Sequence, residues 1–327
     1  ATFAAMHFPS APAKTVAALA ELLKSPRRIA IVTHYNPDGD ALGSSLGLSY
    51  VLKAMGHNVQ VVLPNPAPKN LHWMPGHANA IDHDMAKAAS EKAIAASEIL
   101  FCLDFNRADR VHGLEAAVRA ASLRVLIDHH QDPDLELAAV RFSDTSASST
   151  CQMVYDVIAG LGQVDRIHAD AATCIYTGIL TDTGSFRFPS TSAHTLRVAA
   201  DLLERGAVPH TIHAAIMEDS AESRLRLLGF ALFERMRVSP ELGTTVIALS
   251  KADLERFNYA PGDTEGLVNY GLSIRGIRLS AFFAERADAV KISLRSKGKL
   301  PVNEFLGAHF QGGGHANASG GQTTEAL

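Results

Sequence analysis

Along the first two thirds of this chain, short and wholly apolar runs alternate with longer segments of helical periodicity. Residues 14–24 predict a helix, the run Arg28-Ile-Ala-Ile-Val-Thr33 a buried strand, and residues 41–55 a helix ended by Gly56. The same unit then recurs. Residues 59–63, 99–103 and 123–127 predict strands, and 86–97 and 114–121 predict helices between them. Strands that are apolar throughout, separated by helices, imply a largely parallel sheet covered on both faces.

That architecture places chemistry. In open α/β sheets functional groups gather beyond the carboxyl ends of the strands, and three predicted strands stop beside His34, Asp104 and Asp128. A helical stretch over 171–180 runs into Thr181-Asp182-Thr183-Gly184 and can bring Asp182 to the same edge. Further on, a helix is predicted from about 191 to 205. The polar segment 206–222, with Pro209 and a turn at Glu218-Asp219-Ser220, reads as a linker between a domain at 1–205 and a smaller α/β domain at 223–327. In the second domain strands are predicted at 244–249, 277–284 and 290–295, helices at 223–236, 264–270 and 302–308, and a glycine-rich loop at 312–321.

Composition narrows the class. A chain of 327 residues has room for two cores. Three cysteines, two of them inside apolar runs, fit reduced core thiols rather than a disulfide framework, and so a reducing cytoplasm. No basic segment leads into an apolar stretch at residues 1–12, and no run reaches the roughly 18 apolar residues of a membrane span, so neither export nor a membrane anchor is expected. The net charge of −4 excludes a strongly basic nucleic-acid coat. It hides an asymmetry: residues 223–327 hold 13 Lys/Arg against 10 Asp/Glu, or +3, which leaves −7 for the rest. The acidic part suits cations and the mildly basic part suits anions.

The segment His34-Tyr-Asn-Pro-Asp38-Gly-Asp40 puts an imidazole and two carboxylates within one tight turn, and Asp128-His129-His130 follows an apolar strand directly. Such side chains bind first-row divalent cations, and carboxylates can bridge two of them. Each piece has a plainer reading. Asp38 or Asp40 would serve as a helix cap, Asp104 as a solvated strand end in an ordinary polar loop, and either histidine as a satisfied surface residue. The remaining histidines, His112 among them, lack comparable context. In the second domain Gly312-Gly313-Gly314-His315 exposes backbone N–H groups and an imidazole, and Arg295-Ser296 adds a fork donor for phosphate, with Arg275 and Arg278 as further candidates. A mobile terminal loop and rim charges would look similar.

Taken together, these motifs resemble the DHH/DHHA1 phosphoesterases, most closely their short bacterial nano-RNase (NrnA-like) oligoribonuclease and pAp phosphatase branch. His34-x-x-Pro37-Asp38-Gly-Asp40, Asp104, Asp128-His129-His130 and Asp182-Thr-Gly184 follow the family's order and spacing, and the resemblance covers nearly the whole chain. Gln311 departs from the pattern, where the family often has another glycine. The resemblance implies two divalent metal ions, Mn2+ by their mixed nitrogen and oxygen ligation. One would be held by His34, Asp38 and Asp104, the other by Asp40, Asp104, His129 and Asp182. It makes Asp104 the bridge and His130 the residue facing the scissile phosphate, with Asp128 orienting the histidines from behind. Arg295, Ser296, Gly313, Gly314 and His315 would bind the terminal phosphate across an interdomain cleft.

The implied substrates are di- to penta-nucleotides, cut to 5'-mononucleotides, and 3'-phosphoadenosine 5'-phosphate, not long duplex nucleic acid. A homodimer stays open. Hydrolysis of cyclic di-AMP or its linear product is the alternative. A catalytically silent nucleotide sensor, a manganese pyrophosphatase and a long-strand exonuclease of the RecJ type fit the residues less well.

Overall fold

The computed structural model describes residues 10–217 and 221–327, and by its contacts the chain divides into two compact units, 1–218 and 219–327. Most of the N-terminal stretch and the Glu218-Asp219-Ser220 turn considered above lie outside the described residues. The first unit contains α1 (Ala13–Leu22), β1 (Arg28–Val32), α2 (Gly39–Ala54), β2 (Asn58–Leu63), β3 (Ile81–Asp82), α3 (Lys87–Ala95) and β4 (Ile99–Leu103). It continues with α4 (Glu115–Ala120), β5 (Arg124–Asp128), β6 (Val140–Ser143), α5 (Thr150–Gly160), α6 (Ala169–Asp182), α7 (Ala193–Glu204) and α8 (Pro209–Met217). Its strands form one parallel sheet in the order β3-β2-β1-β4-β5-β6.

Both faces of that sheet are covered, which is why its central strands read as unbroken apolar runs. Ile29, Ile31, Phe101 and Ile127 pack with residues of α1, α2, α5 and α6, whereas Ala30, Val32, Cys102 and Leu126 pack with residues of α3 and α4. The strand order reverses between β1 and β4, and at such a switch point adjacent connections leave on opposite faces and open a crevice. His34 follows β1 by two residues, Asp104 follows β4 directly, and Asp128 is the last residue of β5.

Most of the segment read as a linker is helical. Pro209 occupies the first position of α8, where its missing N–H leaves no hydrogen bond unmade, and Ile212 of that helix is buried in the first unit's core.

Helices α2 and α6 approach closely, and glycines permit it. A Cβ on Gly43 would lie 2.5 Å from the Cys174 carbonyl oxygen, and one on Gly178 would lie 2.1 Å from Cys151 Sγ and 2.9 Å from Asp40 Oδ1. This contact brings Asp40, at the start of α2, near Asp182, at the end of α6. We expect Gly43→Ala to lower the melting temperature by several degrees, since overpacking against backbone costs about 1–3 kcal/mol. An unchanged melting curve would show that the helices can separate without penalty.

The second unit contains α9 (Glu222–Phe230), β7 (Met236–Ser239), β8 (Thr244–Leu249), α10 (Lys251–Arg256), α11 (Leu267–Leu272), β9 (Leu279–Glu285), β10 (Val290–Ser296), α12 (Val302–His309), β11 (Gln311–His315) and β12 (Ala318–Thr323). Its sheet runs β11-β12-β10-β9-β8-β7, with β8 and β9 parallel and the other neighbours antiparallel. The glycine-rich segment expected as a loop is a β-hairpin, in which Gly312 pairs with Gly321, Gly313 with Gly320 and Gly314 with Ser319. Glycines on both strands let the backbones meet where a side chain would not fit: a Cβ on Gly312 would lie 2.6 Å from the Gly320 carbonyl oxygen. Among the described residues no helix is long and apolar enough to cross a membrane.

Candidate metal centre and substrate residues

Five segments of the first unit converge at the switch-point crevice. His34 lies 3.5 Å (Nε2 to Oδ2) from Asp104 and 3.9 Å from Asp38 Oδ2. His129 Nε2 lies 3.6 Å from Asp104 Oδ1, 3.6 Å from Asp182 Oδ2 and 3.9 Å from Asp40 Oδ2. Apart from the 3.5 Å contact of His34 with Asp104, which is at the limit of a hydrogen bond, these separations exceed one. They suit atoms sharing one cation at roughly 2.1 Å each, which places neighbouring ligand atoms roughly 3–3.5 Å apart. His34, Asp38 and Asp104 form one compact donor group and Asp40, Asp104 and His129 a second. Asp104 belongs to both, with Oδ2 toward His34 and Oδ1 toward His129.

Local structure aims each donor. Asp38 caps α2, its Oδ1 accepting from the amides of Asp40 and Ala41 at 3.0 Å, while Oδ2 points at His34. The plainer reading of Asp38 as a cap is therefore also true. Asp104 has φ 63, a left-handed conformation that Asp tolerates better than most residues, and its amide is tied to the Ile127 carbonyl at 3.1 Å. His34 Nδ1 sits 2.9 Å from the Tyr35 carbonyl oxygen, which directs Nε2 at the carboxylates.

One contributor carried no signal in the motifs. The N-terminus of α5 donates two amides to Asp40, from Thr150 to Oδ2 at 2.6 Å and from Cys151 to Oδ1 at 2.8 Å, and the Thr150 hydroxyl donates to Asp104 Oδ1 at 2.9 Å. Helix N-termini favour anions, so this end fixes two carboxylates of the cluster at once. Thr150→Val removes only the hydroxyl. We expect cation affinity by titration calorimetry to fall about 10–100-fold, as for other outer partners of metal ligands, and Thr150→Ser to restore it. Equal affinity in all three proteins would mean that Thr150 does not orient Asp104.

The charge balance explains what the cluster wants. Burial, then the charges of Asp104 and Asp182, push Asp40 well above the usual carboxylate range despite its two amide donors. Asp182 is raised by burial and by Asp38 and Asp104. Burial opposes ionisation of Asp104, but the hydrogen bond from His34 and the charges of the three histidines hold its carboxyl far below the usual range. Burial likewise works against a charged His34, and the bond to Asp104 with the charges of Asp38 and Asp104 overrides it, to about 9. Carboxylate oxygens and imidazole nitrogens so crowded form a donor set able to hold metal.

His130 is held differently. Its Nδ1 lies 2.7 Å from Asp128 Oδ1, its amide donates to Asp128 Oδ2 at 3.2 Å, and Asp128 is wholly buried. Burial lowers the ring's pKa, but the bond to Asp128 and the charges of Asp104 and Asp128 raise it overall to about 9. The orienting contact of Asp128 is thus with His130.

The substrate candidates of the second unit lie on β10 and β11. Arg295 is half-buried, with Nη1 donating to the carbonyls of Leu294 at 2.9 Å and Ser319 at 3.5 Å. Ser296 is committed within its own unit. Its amide donates to Asn317, its hydroxyl to the Leu300 carbonyl at 2.6 Å, and it accepts from Asn317 Nδ2 at 2.7 Å. That arrangement pins the turn of the hairpin, a supporting contact rather than a donor aimed at phosphate. Gly313, Gly314 and His315 lie on β11, the edge strand of that sheet.

A switch-point crevice lined by carboxylates and imidazoles able to hold divalent cations, in the first of two α/β units, is the kind of site a phosphoester hydrolase uses. The family model described as "DHH family, N-terminal domain" matches residues 28–179 and the DHHA1 domain model matches 243–327. The bifunctional oligoribonuclease and PAP phosphatase NrnA of Thermus thermophilus is 33% identical over 92% of this chain and 86% of that one. The protein of the same name from Bacillus subtilis is 31% identical over 88% and 86%. The crystal structure of an exopolyphosphatase-related protein from Bacteroides fragilis superposes with a TM-score of 0.93 at 36% identity, covering 96% of this chain and 92% of that one. The chain belongs to the DHH family and is an enzyme that hydrolyses phosphoric esters.

Proposed function

We propose that this enzyme hydrolyses short oligonucleotides, di- to penta-nucleotides, to 5'-mononucleotides, and removes the 3'-phosphate of 3'-phosphoadenosine 5'-phosphate. Two divalent cations, Mn2+ by preference, would be held by His34, Asp38 and Asp104 and by Asp40, Asp104, His129 and Asp182. The observation that carries this reading is the placement of Asp104 between two donor groups, one on each oxygen. Bound there, such ions supply an activated water and charge neutralisation at the phosphate. The substrates are those named for the relatives at 33% and 31% identity.

The chain's own residues account for the rest. Asp128 holds His130 by Nδ1, so a proton carried on the ring is presented from Nε2 to the phosphate or the departing 3'-oxygen. Arg295, Gly313, Gly314 and His315 grip the terminal phosphate. Residues 223–327 carry only +3, enough for a few phosphates and too little for tight binding of a long strand. Three buried, unpaired thiols fit a reducing compartment such as the cytoplasm.

The test is hydrolysis, with and without Mn2+, of pApA, a five-nucleotide RNA, a long RNA, 3'-phosphoadenosine 5'-phosphate and cyclic di-AMP. Rapid Mn2+-dependent release of AMP from pApA supports the reading. Preference for the long RNA or for cyclic di-AMP overturns it.

A further inference from the structure

Beside the metal-type cluster stands a group of side chains that the cluster does not use. Tyr35 follows His34 in the chain, about 3.8 Å from it between Cα atoms. Its ring stacks on that of His112, with centroids 4.1 Å apart and planes 13° from parallel. Its amide donates to the carbonyl of Arg110 at 2.8 Å. Tyr35 is half-buried, and Arg110 and His112 are exposed.

The segment carrying Arg110 and His112 is fixed. Ala108, Val111 and Leu114 are wholly buried in the sheet's second core layer, so Arg110 and His112 flank an anchored valine. His112 has φ 46 and ψ −114, a backbone conformation that costs about 1–3 kcal/mol and survives only where the surroundings enforce it. What the strain achieves is the ring's position over Tyr35. Of the two arginines here, Arg107 is neutralised by Asp109 at 3.2 Å, whereas Arg110 has no ion pair among the described residues. Its charge is felt at His130.

An exposed imidazole backed by a phenol ring, next to an uncompensated guanidinium, has the chemistry of a nucleotide subsite. Bases stack on aromatic and histidine rings, and arginine takes phosphate oxygens. We propose that Tyr35, Arg110 and His112 form such a subsite, with a nucleobase on the outer face of His112 and Arg110 on the adjoining phosphate. The inference rests on the phosphoesterase reading of the neighbouring cluster and adds a base-recognition element to it. Such a subsite would let the first unit by itself favour nucleotides over other phosphoesters.

The experiment compares kcat/KM for pApA with that for an analogue lacking the 3'-side base, in Mn2+-loaded wild type, His112→Asn and His112→Phe. Asparagine removes the ring and tolerates positive φ; phenylalanine keeps a stacking face. Stacking is worth about 1–3 kcal/mol per base, so the preference of wild type for the intact dinucleotide should fall about tenfold in His112→Asn and return in His112→Phe. An unchanged preference overturns the subsite. If wild type turns over neither substrate, the phosphoesterase reading fails separately, and calorimetric binding of pApA decides the subsite: weaker binding by His112→Asn supports it and equal binding overturns it.

Discussion

Asp104→Asn should reduce hydrolysis of pApA by on the order of a thousand-fold or more, with the fold intact. The substitution is close to isosteric and suits the left-handed conformation at φ 63, since Asn accepts that region as readily as Asp. What it removes is one negative charge, from the residue shared by both donor groups and 2% exposed. Loss of a shared ligand takes away several kcal/mol of charge stabilisation, hence the size of the effect. Thermal shift separates this from unfolding. Wild type should gain roughly 5–10 °C at Mn2+ concentrations a hundredfold above its dissociation constant, and the variant almost nothing. A variant that keeps both its turnover and its Mn2+ shift would remove Asp104 from the centre of the site.

The residues that sequence made visible share a physical reason. His34, Asp104 and Asp128 end strands buried on both faces, so a short apolar run pointed straight at each of them. The elements that escaped lacked such a signal. Strand β6 buries only Phe142 and lies at the sheet edge, so it shows no apolar run. Helix α5 is buried all round from Thr150 to Ile158, polar Thr150, Gln152 and Asp156 included, so residue type does not announce its burial. With α5 unseen, its amides on Asp40 and the Thr150 hydroxyl on Asp104 were invisible too. Nothing local distinguishes that threonine, because its partners lie 110 and 46 residues away.

Strand β7, which begins where the helix expected over 223–236 ends, carries no strand signal because it is short and largely unburied. In the hairpin of β11 and β12 glycine misled by its usual meaning. A run of glycines reads as a flexible loop, yet here two glycine stretches pair with one another at the edge of a sheet. His112 gives no signal in the sequence for a related reason. Its role depends on a stack with a residue 77 positions earlier and on a strained backbone, neither of which leaves a local pattern.

Arg295→Lys should lower kcat/KM for pApA about 10–100-fold, through KM, while Mn2+ affinity stays at the wild-type value. Burial lowers this guanidinium's pKa, with the charge of Glu265 opposing. Its Nη1 meets only carbonyl oxygens, and among the described residues it makes no ion pair. A half-buried cation left in that condition is incompletely compensated, and on the proposed reading an incoming phosphate would supply what is missing. Lysine keeps the charge but loses the planar fork that holds two phosphate oxygens at once. Hydrogen bonds to charged groups contribute about 1.5–3 kcal/mol each, which sets the expected range. Calorimetry with Mn2+ alone, followed by saturation kinetics, separates the two units' duties. A fall in Mn2+ affinity, or an unchanged KM, would show that Arg295 serves the fold and not the substrate.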